Sequence, residues 1–239
     1  MARAEIQRWG DDQIRVRPWR GDPSTAYVSP VPGRRPLSVG SVERTLVLLA
    51  SRGVLRVFTA AVPPAEEAVM IEAGLVPRER LHLLRHDLTD LDRRDRRSDP
   101  RLRRSRPGDR RQILNTDTQA FDTFWALDDA DLDEAINATP TSRVRVVARP
   151  DVHGFAVSGR AGRVGYLQRL AVSPEMEGRG FGRALILDGL RWMRRWGARH
   201  ALVNTQVVNE RAHSLYLHLG FVAEPHGLTV LEADLEARS

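Results

Sequence analysis

Hydrophobic positions in the C-terminal part of the chain recur at intervals that predict alternating helices and strands. Ile113, Ala120, Phe121, Phe124 and Trp125 follow a helical period across residues 109–127, and residues 131–138 read as a second, shorter helix. Residues 101–107 form a short edge strand in this reading. β-Branched runs mark strands at 144–148, 154–157 and 164–172, the last two around the turn signal SGRAGR. Residues 181–196 form a long amphipathic helix, with Phe181, Leu185, Trp192 and Trp196 on one stripe. A strand at 201–208 follows, then a helix at 209–219 that puts Ala212, Leu215, Tyr216 and Leu219 on one face. Asn209 suits its N-cap and Gly220 its left-handed terminus. Residues 228–235 close as a strand.

The N-terminal part carries a fainter copy of that ending. Residues 43–52 resemble a helix, 54–60 a strand and 65–73 a helix. The following AGLVPRERLHLLRHDL mirrors LGFVAEPHGLTVLEADL. Aligning Gly74 with Gly220 places RGVLRVFTAAV opposite GARHALVNTQV, Met70 opposite Tyr216 and Pro63 opposite Asn209. The pattern predicts an internal duplication whose first copy has decayed.

Composition narrows the function classes. The chain has 239 residues, 41% hydrophobic, enough for one large domain or two small ones. No cysteine is present, which excludes disulfide frameworks, thiolate metal sites and cysteine nucleophiles. No apolar run reaches the length of a membrane helix, and the N-terminus lacks a signal-peptide core, so a cytoplasmic protein without a membrane partner is expected. All 37 cationic residues are arginine; with 31 acidic residues the net charge is +6. That balance favours anionic ligands. Residues 90–112 are almost free of apolar positions, yet their arginines are interleaved with aspartates. They read as a solvated linker or exposed strand edge at the boundary between two parts, 1–95 and 96–239, and argue against nucleic acid as a partner.

The chemistry concentrates in LAVSPEMEGRGFGRALILDGL. A strand leads into a loop with glycines at 178, 180 and 182, and a long helix follows. Glycines there let the backbone approach a ligand, and the helix head supplies unpaired N–H groups and partial positive charge, a seat for a pyrophosphate. Arg179 and Arg183 can add charge-assisted contacts. The glycines also make a partial dinucleotide fingerprint, but no acidic residue follows at the expected place. A tight structural turn is the plainer alternative.

These residues resemble the GNAT superfamily of acetyl-CoA-dependent N-acetyltransferases. The family's Gln/Arg-x-x-Gly-x-Gly/Ala loop corresponds to Glu177-Gly178-Arg179-Gly180-Phe181-Gly182. A second signature, Asn-x-x-Ala-x-x-Leu-Tyr-x-x-x-Gly-Phe, corresponds to Asn209, Ala212, Leu215, Tyr216, Gly220 and Phe221. The resemblance implies a mixed α/β (α+β) fold with a central, mostly antiparallel, splayed sheet flanked by helices, here with an N-terminal partial repeat. It further implies acetyl transfer from acetyl-CoA, without a metal, to a primary amine by direct attack, the amine being a small molecule or a protein N-terminus. Leu170, Ala171 and Val172 would offer backbone groups to pantetheine. Glu177, Gly178, Arg179, Gly180, Phe181, Gly182 and Arg183 would hold the pyrophosphate. Asn209 would contact the pantetheine arm, and Tyr216 would protonate the departing thiolate. A homodimer stays open, as does a noncatalytic acyl-CoA sensor.

Two departures stand out. Glu177 replaces the usual Gln or Arg and puts a carboxylate beside the phosphate seat. Asn204 stands where the ribosomal-protein alanine acetyltransferase branch has a glutamate base. A base acting through water could then be Asp122, Asp128, Glu224 or His226. The aromatic and acidic run FDTFWALDDADLDE is the best local candidate for an acceptor wall, with Phe121, Phe124 and Trp125 apolar and Asp122, Asp128 and Asp129 available to a cationic amine; an ordinary amphipathic helix is the alternative.

Overall fold

Ile14 and Val16 alternate with Arg15 and Arg17, the mark of a strand with one buried face, and the N-terminal region proves to be a run of strands. The computed structural model describes residues 4–31, 36–91, 99, 101–148 and 150–236. In chain order the N-terminal elements are β1 (Glu5–Trp9), β2 (Asp12–Trp19), β3 (Asp22–Pro30), α1 (Val39–Ser51), β4 (Arg56–Thr59), α2 (Pro64–Glu72) and β5 (Val76–Asp87). Then come β6 (Leu102–Arg104), α3 (Arg110–Ala120), α4 (Asp129–Asn137), β7 (Thr141–Ala148), β8 (Val152–Ala161), β9 (Val164–Val172), α5 (Phe181–Arg195), β10 (His200–Gln206), α6 (Glu210–His218), β11 (Val222–Ala223) and β12 (Leu228–Asp234).

The chain divides into two compact units. The first takes residues 1–83, 204–210 and 224–239; the second takes 84–203 and 211–223. In the first unit the strand order is β1-β2-β3-β4-β12-β5. β3 and β4 run parallel, and the neighbouring pairs are antiparallel. α1 and α2 bury Val42, Leu46, Leu49 and Met70 in a core shared with Ile14, Val16, Val28 and Val57. The last strand of the chain, β12, completes this unit: Leu231 and Ala233 join its core, and the Leu231 amide donates to Thr59 Oγ1 at 2.8 Å.

In the second unit the order is β10-β9-β8-β7-β6. Strand alternation splits the side chains of β8 between two layers. Phe155 and Val157 meet Ile113 of α3 and Leu132 of α4 on one face. Ala156 faces the opposite layer, where α5 buries Leu185, Ile186, Leu190 and Met193. Each such side chain contributes about 1.5–3 kcal/mol of burial.

The two copies follow one plan. Three antiparallel strands, a helix, a parallel strand and a short helix recur as β1-β2-β3-α1-β4-α2 and β7-β8-β9-α5-β10-α6. α2 and α6 have the same length and stand at the expected offset. The α3–α4 pair has no counterpart between the described elements of the first copy. Residues 32–35, in the degenerate loop of that copy, and 92–98 and 100, in the charged linker, lie outside the described residues. The described end of that segment is the expected edge strand: β6 ends the sheet and pairs with β7, and Arg101 lies 4.5 Å from the Phe181 ring centroid.

Candidate active site

β9 is the spine of the site. β10 pairs with it in parallel over three positions, ending at Leu202 and Tyr166. Beyond that point β9 continues through Leu170, Ala171 and Val172, paired only on its β8 side. The backbone edge that faces the gap is the kind that receives an extended amide-bearing ligand as an added strand. β9 also carries an irregularity, since Arg169 lies opposite Val157 and Leu167 opposite Ser158, so Gln168 is extra.

The loop after β9 ends at Gly180, the N-cap of α5. Gly178 and Gly180 adopt φ +72° and +78°, and a Cβ built on either would meet nothing within 4 Å. These glycines are therefore demanded by backbone conformation and open space rather than by packing. The first turn of α5 has no acidic residue. The head of a fifteen-residue helix, without an acidic residue in its own first turn and reached over bare backbone, fits a diphosphate. Arg179 and Arg183 are exposed there, and Phe181 is buried as the first residue of the helix. Gly182 lets α5 approach α6; its Cβ would lie 3.3 Å from Leu215 Cδ2.

Glu177 has a cationic partner within the same unit. Its carboxylate pairs with Arg211, in the first turn of α6. The unusual residue of the loop thus has its charge compensated locally.

Tyr216 is 4% exposed. Its ring packs against Phe221 with centroids 5.4 Å apart, and Phe221 in turn packs edge-on to the buried His86. Desolvation drives the phenol's pKa well above its usual value of 10, opposed by the positive charge of Arg169. Tyr216 is a neutral, proton-bearing group throughout the physiological range. Asn209, the residue before α6, falls in the first unit with Asn204, Glu224 and His226; the other nominated residues fall in the second.

The acidic residues nominated for the acceptor wall have local duties. The helix expected over 109–127 stops at Ala120, and Phe121 turns extended at φ −127°, ψ 151°. Asp122 Oδ1 accepts the amides of Phe124 and Trp125, Asp128 caps α4, and Asp129 pairs with Arg110. What the segment presents besides these is aromatic: Phe124 and Trp125 meet edge-to-face at 5.2 Å. Two residues that the sequence did not flag belong here. Arg169 joins β9 to this segment, and Ser173, at the base of the glycine loop, buries an Oγ without a hydrogen-bond partner. The signal for Arg169 was a lone cation inside the apolar run YLQRLAV.

In the first copy the helix head is filled from within. Asp12 Oδ2 accepts the Ser38 amide at 3.0 Å, Ser38 Oγ at 2.6 Å and Ser41 Oγ at 2.8 Å. An internal carboxylate thus takes the place at the head of α1 that suits an anion. A cavity of about 500 Å³ opens beside it, lined among others by Trp9, Asp11, Asp12 and Arg44.

The profile of the acetyltransferase (GNAT) family matches residues 101–221, just over half the chain. The protein belongs to the GNAT family. No curated protein matches the sequence. Among solved structures, a tandem GNAT protein of the clavulanic acid biosynthesis pathway superposes with a TM-score of 0.68 at 15% identity, covering 95% of this chain and 81% of that one. A GCN5-related N-acetyltransferase from Kribbella flavida gives 0.65 at 13% identity, covering 98% and 92%. One from Sphaerobacter thermophilus gives 0.61 at 17% identity, covering 94% and 76%. These likenesses establish the GNAT fold, and family membership makes this chain an acyltransferase that uses an acyl-CoA donor and an acceptor. Among the described residues no helix is long and apolar enough to cross a membrane, and no cluster of His, Cys, Asp or Glu could hold a metal ion.

Proposed function

We propose that the protein is a cytoplasmic N-acetyltransferase in which residues 96–239 carry acetyl transfer from acetyl-CoA to a primary amine and residues 1–95 act as a scaffold without a coenzyme of their own. The observation that carries this reading is the opening of β9 from β10 beyond Tyr166, which leads to the glycine loop and the acid-free head of α5. When bound, acetyl-CoA supplies the activated acetyl group as a thioester. The chain's part is to hold and orient. Backbone N–H groups of residues 178–182, with the guanidinium groups of Arg179 and Arg183, bind the diphosphate. Glu177 contributes backbone only, because Arg211 engages its side chain. Leu170, Ala171 and Val172 offer main-chain groups to the pantetheine amides.

Tyr216 Oη holds the proton required by the departing thiolate. Burial keeps the phenol protonated, so a neutral hydrogen-bond donor is present when negative charge develops beside it. Placement of a neutral amine against the acyl carbon supplies much of the remaining acceleration. The test is thiol release from acetyl-CoA with a panel of primary amines, wild type against Tyr216→Phe. The expected result is turnover with at least one amine, reduced by roughly 10²–10⁴-fold in the variant with CoA binding retained. CoA binding without turnover on any amine would identify a sensor instead.

A further inference from the structure

β9 buries one cation in the middle of its apolar run. Arg169 Nε donates to Asp117 Oδ2 at 2.6 Å, and Nη2 to Asp117 Oδ1 at 2.7 Å, a two-pronged pair. Nη2 also donates to the Trp125 carbonyl at 2.7 Å. The guanidinium carbon lies 3.5 Å from the centroid of the Phe121 ring. Asp117 is fully buried, and its Oδ1 also accepts the Leu127 amide at 2.7 Å. The Arg169–Asp117 pair thus grips the segment between α3 and α4 at Phe121, Trp125 and Leu127.

Burying an ion pair is a poor way to gain stability, since apolar side chains of similar volume serve as well or better. What the pair provides is geometry: a planar fork with fixed bond directions, anchored on a strand. The acids of the segment do not provide that anchor. Asp122 bonds within its own turn, Asp128 caps α4, and Asp129 holds Arg110. Arg169 also immediately precedes Leu170, the first of the residues assigned to the acyl carrier.

We propose that Arg169 is a positioning residue for the acceptor: it sets the distance between the wall formed by residues 121–127 and the strand that carries the acyl donor. This rests on the acyl-transfer reading above and deepens it. A lysine at 169 keeps the charge but cannot make the fork, reach the Trp125 carbonyl and lie flat on Phe121 together.

The test compares wild type, Arg169→Lys and Phe121→Leu. The second variant removes only the ring under the guanidinium and leaves the ion pair, so the proposal survives a failure of Arg169→Lys to fold. Three readings are taken: amide hydrogen exchange across 121–127, heat of CoA binding, and steady-state constants with the best amine. The expected result is faster exchange confined to 121–127 and an acceptor KM raised by roughly 10- to 100-fold in Arg169→Lys, less in Phe121→Leu, with CoA binding unchanged. An unchanged acceptor KM beside faster exchange would make the clamp merely structural and overturn the proposal; unchanged exchange would overturn it as well. A wild-type chain that takes up no CoA would instead sink the acyl-transfer reading, and the acceptor role with it.

Discussion

Met70 holds in the first copy the place that Tyr216 holds in the second. Both are buried, at 2% and 4% exposure. The Met70 carbonyl accepts the Leu75 amide at 3.0 Å, and the Tyr216 carbonyl accepts the Phe221 amide at 3.1 Å. Between them stand Gly74 at φ +89° and Gly220 at φ +87°. The same helix ending, with the same left-handed residue and the same apolar closure, is thus built twice. Only the second copy puts a hydroxyl at the position.

That shared ending predicts the cost of altering it. Gly220→Ala forces an L side chain to φ +87° and places its Cβ 3.3 Å from His86 Nε2. Gly180→Ala meets the same backbone strain at φ +78° with nothing within 4 Å. Strain alone costs about 1–2 kcal/mol. Denaturant unfolding should therefore show a loss of that size for Gly180→Ala and a larger one for Gly220→Ala. Equal losses would mean that the His86 contact is without consequence.

The Tyr216 phenol predicts a specific alkaline weakness. Burial raises its pKa in the folded chain above the ordinary value of 10.0, so the folded state retains a proton that the unfolded chain releases. Its contribution to stability is complete below about pH 10 and declines above it by about 1.4 kcal/mol per pH unit, until the folded pKa is reached. Urea unfolding of wild type and Tyr216→Phe across that window should show the steeper decline in the wild type only. Parallel slopes would contradict a buried, neutral phenol.

The Glu177–Arg211 pair predicts an effect on coenzyme rather than on folding. Both side chains are substantially exposed, so breaking the pair changes stability by no more than about 1 kcal/mol. Arg211→Ala should nevertheless weaken CoA binding in calorimetry, because it leaves the Glu177 carboxylate uncompensated beside the diphosphate. Adding Glu177→Gln should restore the affinity. Failure of the second change to rescue the first would show that Arg211 acts on the coenzyme directly.

Much of the second copy was legible because its signals are local. The alternating glycines, the amphipathic stripe of α5 and the cap residues around α6 all act within a few positions of one another. The duplication was legible for the same reason: α2 and α6 line up residue for residue. Three features are not legible locally. β1–β3 carry only a short alternation, Ile14 and Val16 with arginines, too brief to mark three strands. Phe121, Phe124 and Trp125 keep a helical spacing that points to a helix through residue 127, but Asp122 and Asp117 capture the amides beyond Ala120. The partnership of Arg169 with Asp117 spans 52 positions, and nothing local announces it.

The return of β12 to the first unit has a consequence for biosynthesis. Thr59, on β4, precedes its partner Leu231 by 172 positions. At ordinary elongation rates that is on the order of ten to thirty seconds, during which the nascent N-terminal sheet stands with a bare edge, open to strand exchange with a neighbouring chain. Closure of this half therefore waits on synthesis of β12, which works as a latch on a sheet begun much earlier.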